Sequence, residues 1–228
     1  MISIAIDGPS GVGKSSVAKS LAEKQGYVYI DTGAMFRGIG VYVIGKGIDI
    51  NDKQAVCDAL NDIDETIKYI DGVQHVFVNG EDVTSKLRTE DVSKAASVTS
   101  QYQPVRDKVL ELEREIAKHE HCIMDGRDIG TVVLPDATLK IFMIATPEIQ
   151  AKRRYKQLVE MNKLGDATYE SILADIKERD YRDSHRENAP LKKADDAIEV
   201  DTSELTKEEV IETVWKLLQQ KLQGSVSE

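Results

Sequence analysis

The chain has 228 residues, of which 41% are hydrophobic and 31% are charged, and its formal net charge is −10. This composition is typical of a globular protein with one sizeable core, and the acidic balance argues against general nucleic-acid binding. No apolar run approaches the roughly 20 residues of a membrane span, and the chain enters its first strand directly, so we expect neither a span nor a signal peptide. Cys57 and Cys122 have no metal or redox spacing, which fits a reducing cytoplasm best.

A phosphate-binding loop follows the first predicted strand, a β-rich run over residues 2–7. The sequence GPSGVGKS at 8–15 has the complete pattern G-x-x-x-x-G-K-S, and a helix is predicted from Lys14 to Gln25. In this setting the phosphates meet the positive end of a helix dipole. The residues that we predict to bind ATP are Gly8, Pro9, Ser10, Gly11, Val12, Gly13, Lys14, Ser15 and Ser16. The alternative is a glycine-rich turn that binds nothing, and the complete pattern in this context disfavours it.

The residue types in this loop suit a nucleotide phosphate with its metal ion. Glycines allow positive φ and bring backbone N–H groups close to phosphate oxygens. Lys14 supplies a mobile cation for the β- and γ-phosphates, and the Ser15 hydroxyl is a hard oxygen ligand for Mg²⁺. Asp125 ends a later hydrophobic strand, which is the place of a Walker B carboxylate. We therefore predict that Ser15 and Asp125 hold Mg²⁺, the carboxylate directly or through water.

Strand-like and helical runs alternate along the chain, which predicts a parallel α/β sheet. Besides 2–7, the predicted strands lie at 27–31, 121–125, 139–145 and 196–200, and further helices begin near Thr89, at Pro104 and at about 206. The alternation is interrupted over about 33–105, where Asp71-Gly72 and Asn79-Gly80 are hairpin signals. They predict a small three-stranded antiparallel sheet within residues 66–84.

A helical hairpin is predicted over about 147–186, because a basic helix stops at Gly165 and a second helix runs from about 168 to 186. A basic hairpin after a core strand indicates a mobile lid. Its candidates for a phosphate contact are Arg153 and Arg154. A solvated helix face is nearly as good an explanation for these two arginines, and we expect only one of them to point inward.

Six of the ten arginines lie between residues 127 and 186, although the chain is acidic overall. Arg127 and Asp128 belong to the sequence DGRD, which follows the carboxyl end of a predicted strand. Ligands bind at that edge of doubly wound sheets. Arg37 follows the second predicted strand; by itself it would be interpreted as one half of a surface ion pair.

The second helix of the hairpin carries Arg179, Asp183 and Arg186 at spacings i, i+4 and i+7, which puts them on one face. An exposed ladder of ion pairs, which stabilises a helix by about 0.2–0.5 kcal/mol per pair, is the alternative. Beside the DGRD loop, we favour a second anion-binding set.

Two classes of phosphate-loop protein are excluded by missing motifs. A GTPase switch needs D-x-x-G, yet no aspartate of the chain has a glycine three positions later. The stretch Asn162–Gly165 also has glycine where a guanine-reading aspartate belongs. We find no ABC-type signature between the two Walker elements.

Four stretches together resemble the bacterial-type cytidylate kinases, a family of P-loop nucleoside monophosphate kinases. They are IAIDGPSGVGKSSVAKSLA, DTGAMFRGIG, DGRDIGTVVLPDA and KERDYRDSHRENAPL, and the resemblance covers essentially the whole chain. It implies a three-layer P-loop α/β fold with a parallel core sheet, an inserted monophosphate-binding lobe that contains a small antiparallel sheet, and a helical lid. The single domain would span 1–224, with the core at about 1–32, 106–146 and 187–224, the insert at about 33–105 and the lid at about 147–186.

The resemblance also implies residue roles. Arg37 and Arg127 would hold the acceptor phosphate; Ser97, Arg106 and Asp128 would face the cytosine; Arg179 and Asp183 would lie at the α-phosphate and ribose, and Arg186 near the transferring phosphoryl group. The implied catalytic residues are Lys14, Arg127, Arg179 and Arg186, and the implied CMP-binding residues are Thr32, Arg37, Ser97, Arg106, Arg127, Asp128, Arg179 and Asp183. Thr32 and Phe36 stand where serine and tyrosine are common in the family, which leaves only the hydroxyl contact at position 36 in doubt.

The reaction implied by the resemblance is ATP-dependent phosphorylation of CMP, with dCMP as a second substrate. A phosphate acceptor is mostly dianionic at pH 7 and needs no general base, so the four histidines are interpreted as structural or surface residues. A kinase for UMP, AMP or shikimate and a nucleotide-binding regulator without turnover are the alternatives. We expect small-molecule substrates only, no nucleic-acid or membrane partner, and a monomer.

Overall fold

The computed structural model describes residues 1–224, which divide into two compact units. Unit 1 contains Tyr29–Glu120 together with Met1, and unit 2 contains Ile2–Val28 and the described residues from His121 onwards. The predicted division into core, insert and lid stays a prediction.

The described strands and helices follow one another in a largely alternating order. They are β1 (Ser3–Asp7), α1 (Lys14–Gln25), β2 (Val28–Asp31), α2 (Thr32–Gly45), α3 (Lys53–Ala59), β3 (Glu65–Ile70), β4 (Val73–Val78), β5 (Glu81–Asp82), α4 (Glu90–Thr99), α5 (Gln103–His119), β6 (Cys122–Gly126), β7 (Leu139–Ile144), α6 (Pro147–Glu160), α7 (Tyr169–His185), β8 (Ile198–Asp201) and α8 (Lys207–Gly224). Each strand predicted from the sequence is present, with bounds shifted by one or two residues.

A five-stranded sheet has the order β2-β6-β1-β7-β8. Strand β1 pairs in parallel with both β6 and β7, and β7 pairs in parallel with β8. The central strands are almost continuously apolar, and Ile4, Ile6 and Ile123 are fully buried, as expected of parallel strands covered on both faces. In this register Ile6 lies opposite Asp125 and Asp7 opposite Gly126, so the carboxyl ends of β1 and β6 are adjacent. The predicted α/β class and parallel core sheet are confirmed.

Helix α1 begins at Lys14 and ends before Gly26, which has φ 66° in the left-handed region, as predicted. The helical hairpin α6–α7 has a small apolar core made of Ala151, Ile172 and Ile176. The predicted end of α6 at Gly165 is wrong.

Helix α6 ends at Glu160, and its last turn is closed by the N–H of Met161 to the carbonyl of Gln157 and the N–H of Lys163 to that of Leu158. Asn162 takes φ 53°, a conformation that asparagine tolerates better than most residues, and this turns the chain out of the helix early.

Unit 1 contains the predicted small antiparallel sheet, in the order β3-β4-β5. Its turns are Asp71-Gly72 and Asn79-Gly80, and all four residues have positive φ, which two-residue hairpin turns of type I′ require. Helices α2 and α3 were not predicted.

A buried carboxyl lies between β3 and α2 in unit 1. The Oε1 atom of Glu65 is buried, has no hydrogen-bond partner among the described residues, and lies 2.1 Å from where a Cβ at Gly38 would be. Burial raises the pKa of Glu65 to about 8, although Lys108 opposes the shift.

The single tryptophan and the two cysteines are distributed between the units. Trp215, the single tryptophan, lies on α8 of unit 2 with the Lys24 ammonium 4.1 Å from its ring centroid. Cys57 is half-buried on α3 of unit 1, whereas Cys122 is fully buried on β6.

Within residues 1–224, no helix is both long and apolar enough to cross a membrane.

Candidate active site

The phosphate-binding loop connects β1 to α1, as predicted. Gly8, Gly11 and Gly13 have φ values of 145°, 72° and 98°, which L side chains rarely adopt. A Cβ at Gly8 would lie 2.1 Å from the carbonyl oxygen of Met143 on β7, so the loop also needs glycine there for space. The remaining predicted ATP-binding residues differ in exposure, since Val12 is buried, Pro9 is half-buried and Ser16 is exposed.

Lys14 is held inside this loop, where its side chain is enclosed. Its Nζ donates a hydrogen bond to the carbonyl of Pro9 at 2.6 Å, and the residue is only 6% exposed. Desolvation first, and then the positive charge of Arg127, lower the pKa of Lys14 from 10.5 to about 7. The site therefore favours an anion beside this ammonium, because a phosphate would offset both effects.

Ser15 and Asp125 lie together at the adjacent ends of α1 and β6. The Ser15 hydroxyl donates to Asp125 Oδ2 at 2.9 Å. A hydroxyl and a carboxylate at this separation are hard oxygen donors of the kind that Mg²⁺ prefers, and Mg²⁺ usually takes one or two protein ligands with the rest from phosphates and water. The two residues thus fit the predicted metal, although no described group of three or more His, Cys, Asp or Glu side chains is arranged to hold an ion.

The arginines and aspartates predicted to form a second anion-binding set contact one another across α7 and the DGRD loop. Arg127 Nε donates to Asp183 Oδ2 at 2.8 Å, and Arg186 Nη2 donates to Asp128 Oδ1 at 3.2 Å. These two pairs are largely buried. These contacts therefore do not form the exposed ladder of ion pairs along α7 that was the alternative.

Charge and burial oppose each other at these groups. Burial alone would raise the pKa of Asp183, but the charges of Arg127, Arg179 and Arg186 hold it below its ordinary value. Burial alone would lower the pKa of Arg127, but the carboxylates of Asp183 and its neighbours raise it. Both groups are consequently charged at neutral pH. Arg179 belongs to the same cluster, since its positive charge also lowers the pKa of Asp183.

Two aspartates that sequence reasoning missed hold the loops of the site. Asp7, at the end of β1, accepts hydrogen bonds from the N–H groups of Ile129 at 2.8 Å and Gly130 at 2.7 Å. Burial raises the pKa of Asp7 to about 6, although these two hydrogen bonds lower it. Asp180 on α7 accepts from the N–H of Ser10 at 3.0 Å. For Asp7, the available signal was a carboxylate in an apolar strand directly before the loop.

Arg37 and Thr32 belong to unit 1 and lie on α2, directly after β2. Asp31 caps this helix by accepting from the N–H of Ala34 at 2.9 Å, and it pairs with Arg37 Nη2 at 3.1 Å. The Nε of Arg37 is buried without a hydrogen-bond partner among the described residues, and Thr32 is 3% exposed. The pairing with Asp31 is local, as the surface-pair interpretation expected, yet an unsatisfied buried donor is also what an acceptor anion would use.

Ser97 and Arg106, the two predicted base-reading residues of unit 1, lie on α4 and α5. Arg106 is 7% exposed, donates to the carbonyl of Ser100 at 3.2 Å and lies 5.6 Å from the ring centroid of Phe36. Ser97 is half-buried. Asp128 belongs to unit 2, so a set that joins it to Ser97 and Arg106 stays a prediction. Asp128 forms an ion pair with Arg186.

The two candidate arginines of the helical hairpin differ in their surroundings. Arg153 donates through Nη1 to Thr202 Oγ1 at 2.9 Å and through Nη2 to the carbonyl of Thr202, whose hydroxyl in turn contacts the carbonyl of Val12 at 3.2 Å. Arg154 is exposed and donates to Gln157 Oε1 at 2.9 Å. Arg153 thus fastens α6 to the residue after β8.

Comparison with known proteins gives consistent results. The family model described as cytidylate kinase matches residues 4–220. A cytidylate kinase of Caldicellulosiruptor bescii is 47% identical over 225 residues, which is 99% of each chain. That of Caldicellulosiruptor saccharolyticus is 49% identical over 95% of each chain, and that of Bacillus subtilis is 44% identical over 96% of this chain and 97% of the relative.

Solved structures of low identity share the fold. A shikimate kinase from Bacteroides thetaiotaomicron aligns over 96% of this chain and 98% of that chain, with a TM-score of 0.50 and 12% identity. An uncharacterized protein from Eubacterium ventriosum aligns over the same shares with a TM-score of 0.51 and 15% identity. The match to the family model over nearly the whole chain and the high identity to its members together establish that this chain belongs to the cytidylate kinase family.

Proposed function

We propose that this chain transfers the γ-phosphoryl group of ATP to the phosphate of CMP, giving ADP and CDP, and that dCMP is a second substrate. The proposal is supported by the relatives, which are cytidylate kinases over the full length of the chain. The observation that carries it within the molecule is the arginine-rich cluster beside the phosphate-binding loop, where Arg127 Nη2 donates to Ser10 Oγ at 2.9 Å. Such a cluster supplies the positive charge that two phosphate groups require to approach one another.

The chemistry needs positioning and charge neutralisation more than proton transfer. The acceptor is a phosphate monoester whose second pKa is about 6, so at neutral pH it is already a nucleophile without a general base. Arg127 and Arg37 bind the acceptor phosphate, while Lys14 binds the donor phosphates and Arg179 and Arg186 neutralise charge on the transferring group. In the free protein, Asp183 and Asp128 hold two of these arginines in place.

The Ser15–Asp125 pair is the part of the chain that would hold Mg²⁺ when ATP binds, since it offers a hydroxyl and a carboxylate 2.9 Å apart. The ion supplies charge neutralisation on the phosphates. Closure of the α6–α7 hairpin then excludes water, which would otherwise hydrolyse ATP. Ser97, Arg106 and Asp128 select cytosine.

The proposal also covers the binding partners, the oligomeric state and the cellular location of the chain. We propose a cytoplasmic monomer that acts on small molecules and binds no nucleic acid. Two free cysteines and a formal net charge of −10 support these statements. Sedimentation analysis of the purified chain tests the monomer.

A turnover panel tests the proposed function. ADP production from ATP and Mg²⁺ is measured with CMP, dCMP, UMP, AMP or shikimate as acceptor. We expect CMP and dCMP to be used best, because the cytosine-reading set has no role with shikimate. Fast turnover of another acceptor would replace the assignment, and acceptor-independent or absent ADP production would favour the regulator without turnover.

A further inference from the structure

Ser10 is bound from two sides by residues outside the phosphate-binding loop. Its N–H donates to Asp180 Oδ1 at 3.0 Å, and its hydroxyl oxygen accepts from Arg127 Nη2 at 2.9 Å. Arg127 Nε donates to Asp183 Oδ2 at 2.8 Å. Asp180 and Asp183 are three positions apart on α7, one turn of helix. The contacts therefore close a ring of four residues, Asp180, Ser10, Arg127 and Asp183, which we call the Ser10 ring.

The ring connects groups that serve different substrates. Ser10 belongs to the loop that receives the donor phosphates, and Arg127 is assigned to the acceptor phosphate under the proposed function. The bonds of the ring involve charged and mostly buried partners, for which hydrogen bonds are strong and geometrically demanding. A displacement of Ser10 would therefore act on the guanidinium of Arg127.

Arg127 has the donor capacity to serve both the ring and a substrate. Its guanidinium carries five N–H groups. The hydrogen bonds to Asp183, Ser10 and the carbonyl of Gly126 use three of them within the described residues. The ring therefore fixes the plane of the guanidinium without consuming the donors that a phosphate would need.

We propose that Ser10 and Asp180 are positioning residues that couple the two substrate sites, so that a nucleotide in the phosphate-binding loop orients Arg127 for the acceptor phosphate. This inference rests on the proposed function, in which Arg127 binds CMP. The Ser10 side chain acts through Arg127, and the Asp180 carboxylate acts through Ser10. The simpler alternative is that the ring only fastens α7 to the loop and stabilises the fold.

The two explanations differ in a measurable coupling. The Kd of CMP is measured calorimetrically on the full chain, alone and with saturating Mg²⁺ and β,γ-imido-ATP, and the ratio of the two values is the coupling factor. Ser10→Ala removes one hydroxyl and keeps the N–H, whereas Asp180→Ala removes the carboxylate on α7. Glu178→Ala is the matched control, since Glu178 lies on the same helix with its side chain 70% exposed.

We expect the nucleotide to tighten CMP binding by wild type and by Glu178→Ala alike. Loss of a charge-assisted hydrogen bond corresponds to roughly ten- to a hundredfold in an equilibrium constant, and since only part of that loss falls on the coupling, Ser10→Ala and Asp180→Ala should each reduce the coupling factor by about tenfold. The double variant should lose no more than either single variant, because both break one ring. A purely fastening role would lower the melting temperature and leave the coupling factor unchanged.

An unchanged coupling factor in Ser10→Ala, strictly additive losses, or no coupling in the wild type would each overturn the inference. Ser10→Ala decides the matter even if Asp180→Ala fails to fold. Failure of the proposed function gives a different result, namely that the wild type does not phosphorylate CMP. If the wild type phosphorylates CMP and Ser10→Ala keeps the full coupling factor, the inference is overturned and the proposed function stands.

Discussion

Lys14 should take up a proton when a nucleotide binds. Burial and Arg127 lower its pKa to about 7 in the free protein. At pH 8 about nine tenths of the free molecules then have a neutral Lys14 amine, by mass action on that pKa. Bound phosphates return the pKa towards its ordinary value, because they place negative charge beside the ammonium. The expected uptake is therefore about 0.9 protons per nucleotide at pH 8 and about 0.5 at pH 7.

The sign of the pH dependence follows from this uptake. A group whose pKa is higher in the complex than in the free protein makes binding weaker as pH rises between the two values. The Kd of ATP should thus increase by up to about tenfold per pH unit above pH 7. For the free fold, the lowered pKa means that the unfolded chain holds a proton that the folded chain has released, so this group makes stability rise with pH between about 7 and the ordinary value of 10.5.

Calorimetric titration of ATP and Mg²⁺ in HEPES and in Tris at pH 8 measures the uptake, because the observed enthalpy varies with the ionisation enthalpy of the buffer. Lys14→Met keeps a long apolar stem without the amine and should show uptake near zero, with turnover lower by orders of magnitude. Lys19→Met, an exposed lysine on the same helix, should behave as wild type. Uptake near zero in the wild type, or uptake that persists in Lys14→Met, would refute the reasoning.

Arg37→Ala and Arg127→Ala should each lower kcat/KM for CMP, by an amount that corresponds to a loss of about 1.5–3 kcal/mol of transition-state stabilisation, and change ATP affinity little. Lysine at either position should restore little activity, because it lacks the bidentate fork of arginine. An equal loss of ATP affinity would place the two arginines on the donor side. Wild type should favour CMP over UMP by about ten- to a hundredfold in kcat/KM, and Asp128→Asn should bring this ratio down towards one, because an amide can either accept a hydrogen bond from the base or donate one to it. An equal fall of kcat/KM for both substrates would show that the base is read elsewhere. Between the ordinary pKa of 4.5 and the raised value of about 8, the folded chain holds a proton on Glu65 that the unfolded chain lacks. Stability of the wild type should therefore fall with rising pH by up to about 1.4 kcal/mol per unit relative to Glu65→Gln, and parallel denaturant curves for the two would contradict a protonated Glu65.

Local sequence signals predicted much of the fold and part of the site. The phosphate-binding loop, the hairpin turns and the helix starts near Thr89 and at about 168 depend on residues within a few positions of one another, and all of them are present. A second anion-binding set was predicted from a shared helix face and the DGRD loop; the structure brings Arg127 to Asp183 and Arg186 to Asp128, and the role of the set in binding stays a prediction.

The missed features depend on tertiary contacts. Helix α2 contains four glycines, which are poor helix formers, and packing overrides this propensity. At Gly40 a Cβ would lie 3.3 Å from the carbonyl of Val92, so the glycine lets α4 approach closely. The partners of Asp7 and Asp180 could not be assigned either, because they lie 122 and 170 residues away along the chain.

The placement of Cys57 and Trp215 gives this protein its own spectroscopic reporter. Cys57 is the half-buried thiol of unit 1, Cys122 is fully buried, and the single tryptophan belongs to unit 2. A thiol-reactive dye should therefore label Cys57 selectively in the native protein, while Trp215 supplies the indole emission. The dye would report on changes within unit 1 and the indole on changes within unit 2, both in a chain with no engineered residue to perturb the arginines that are being studied.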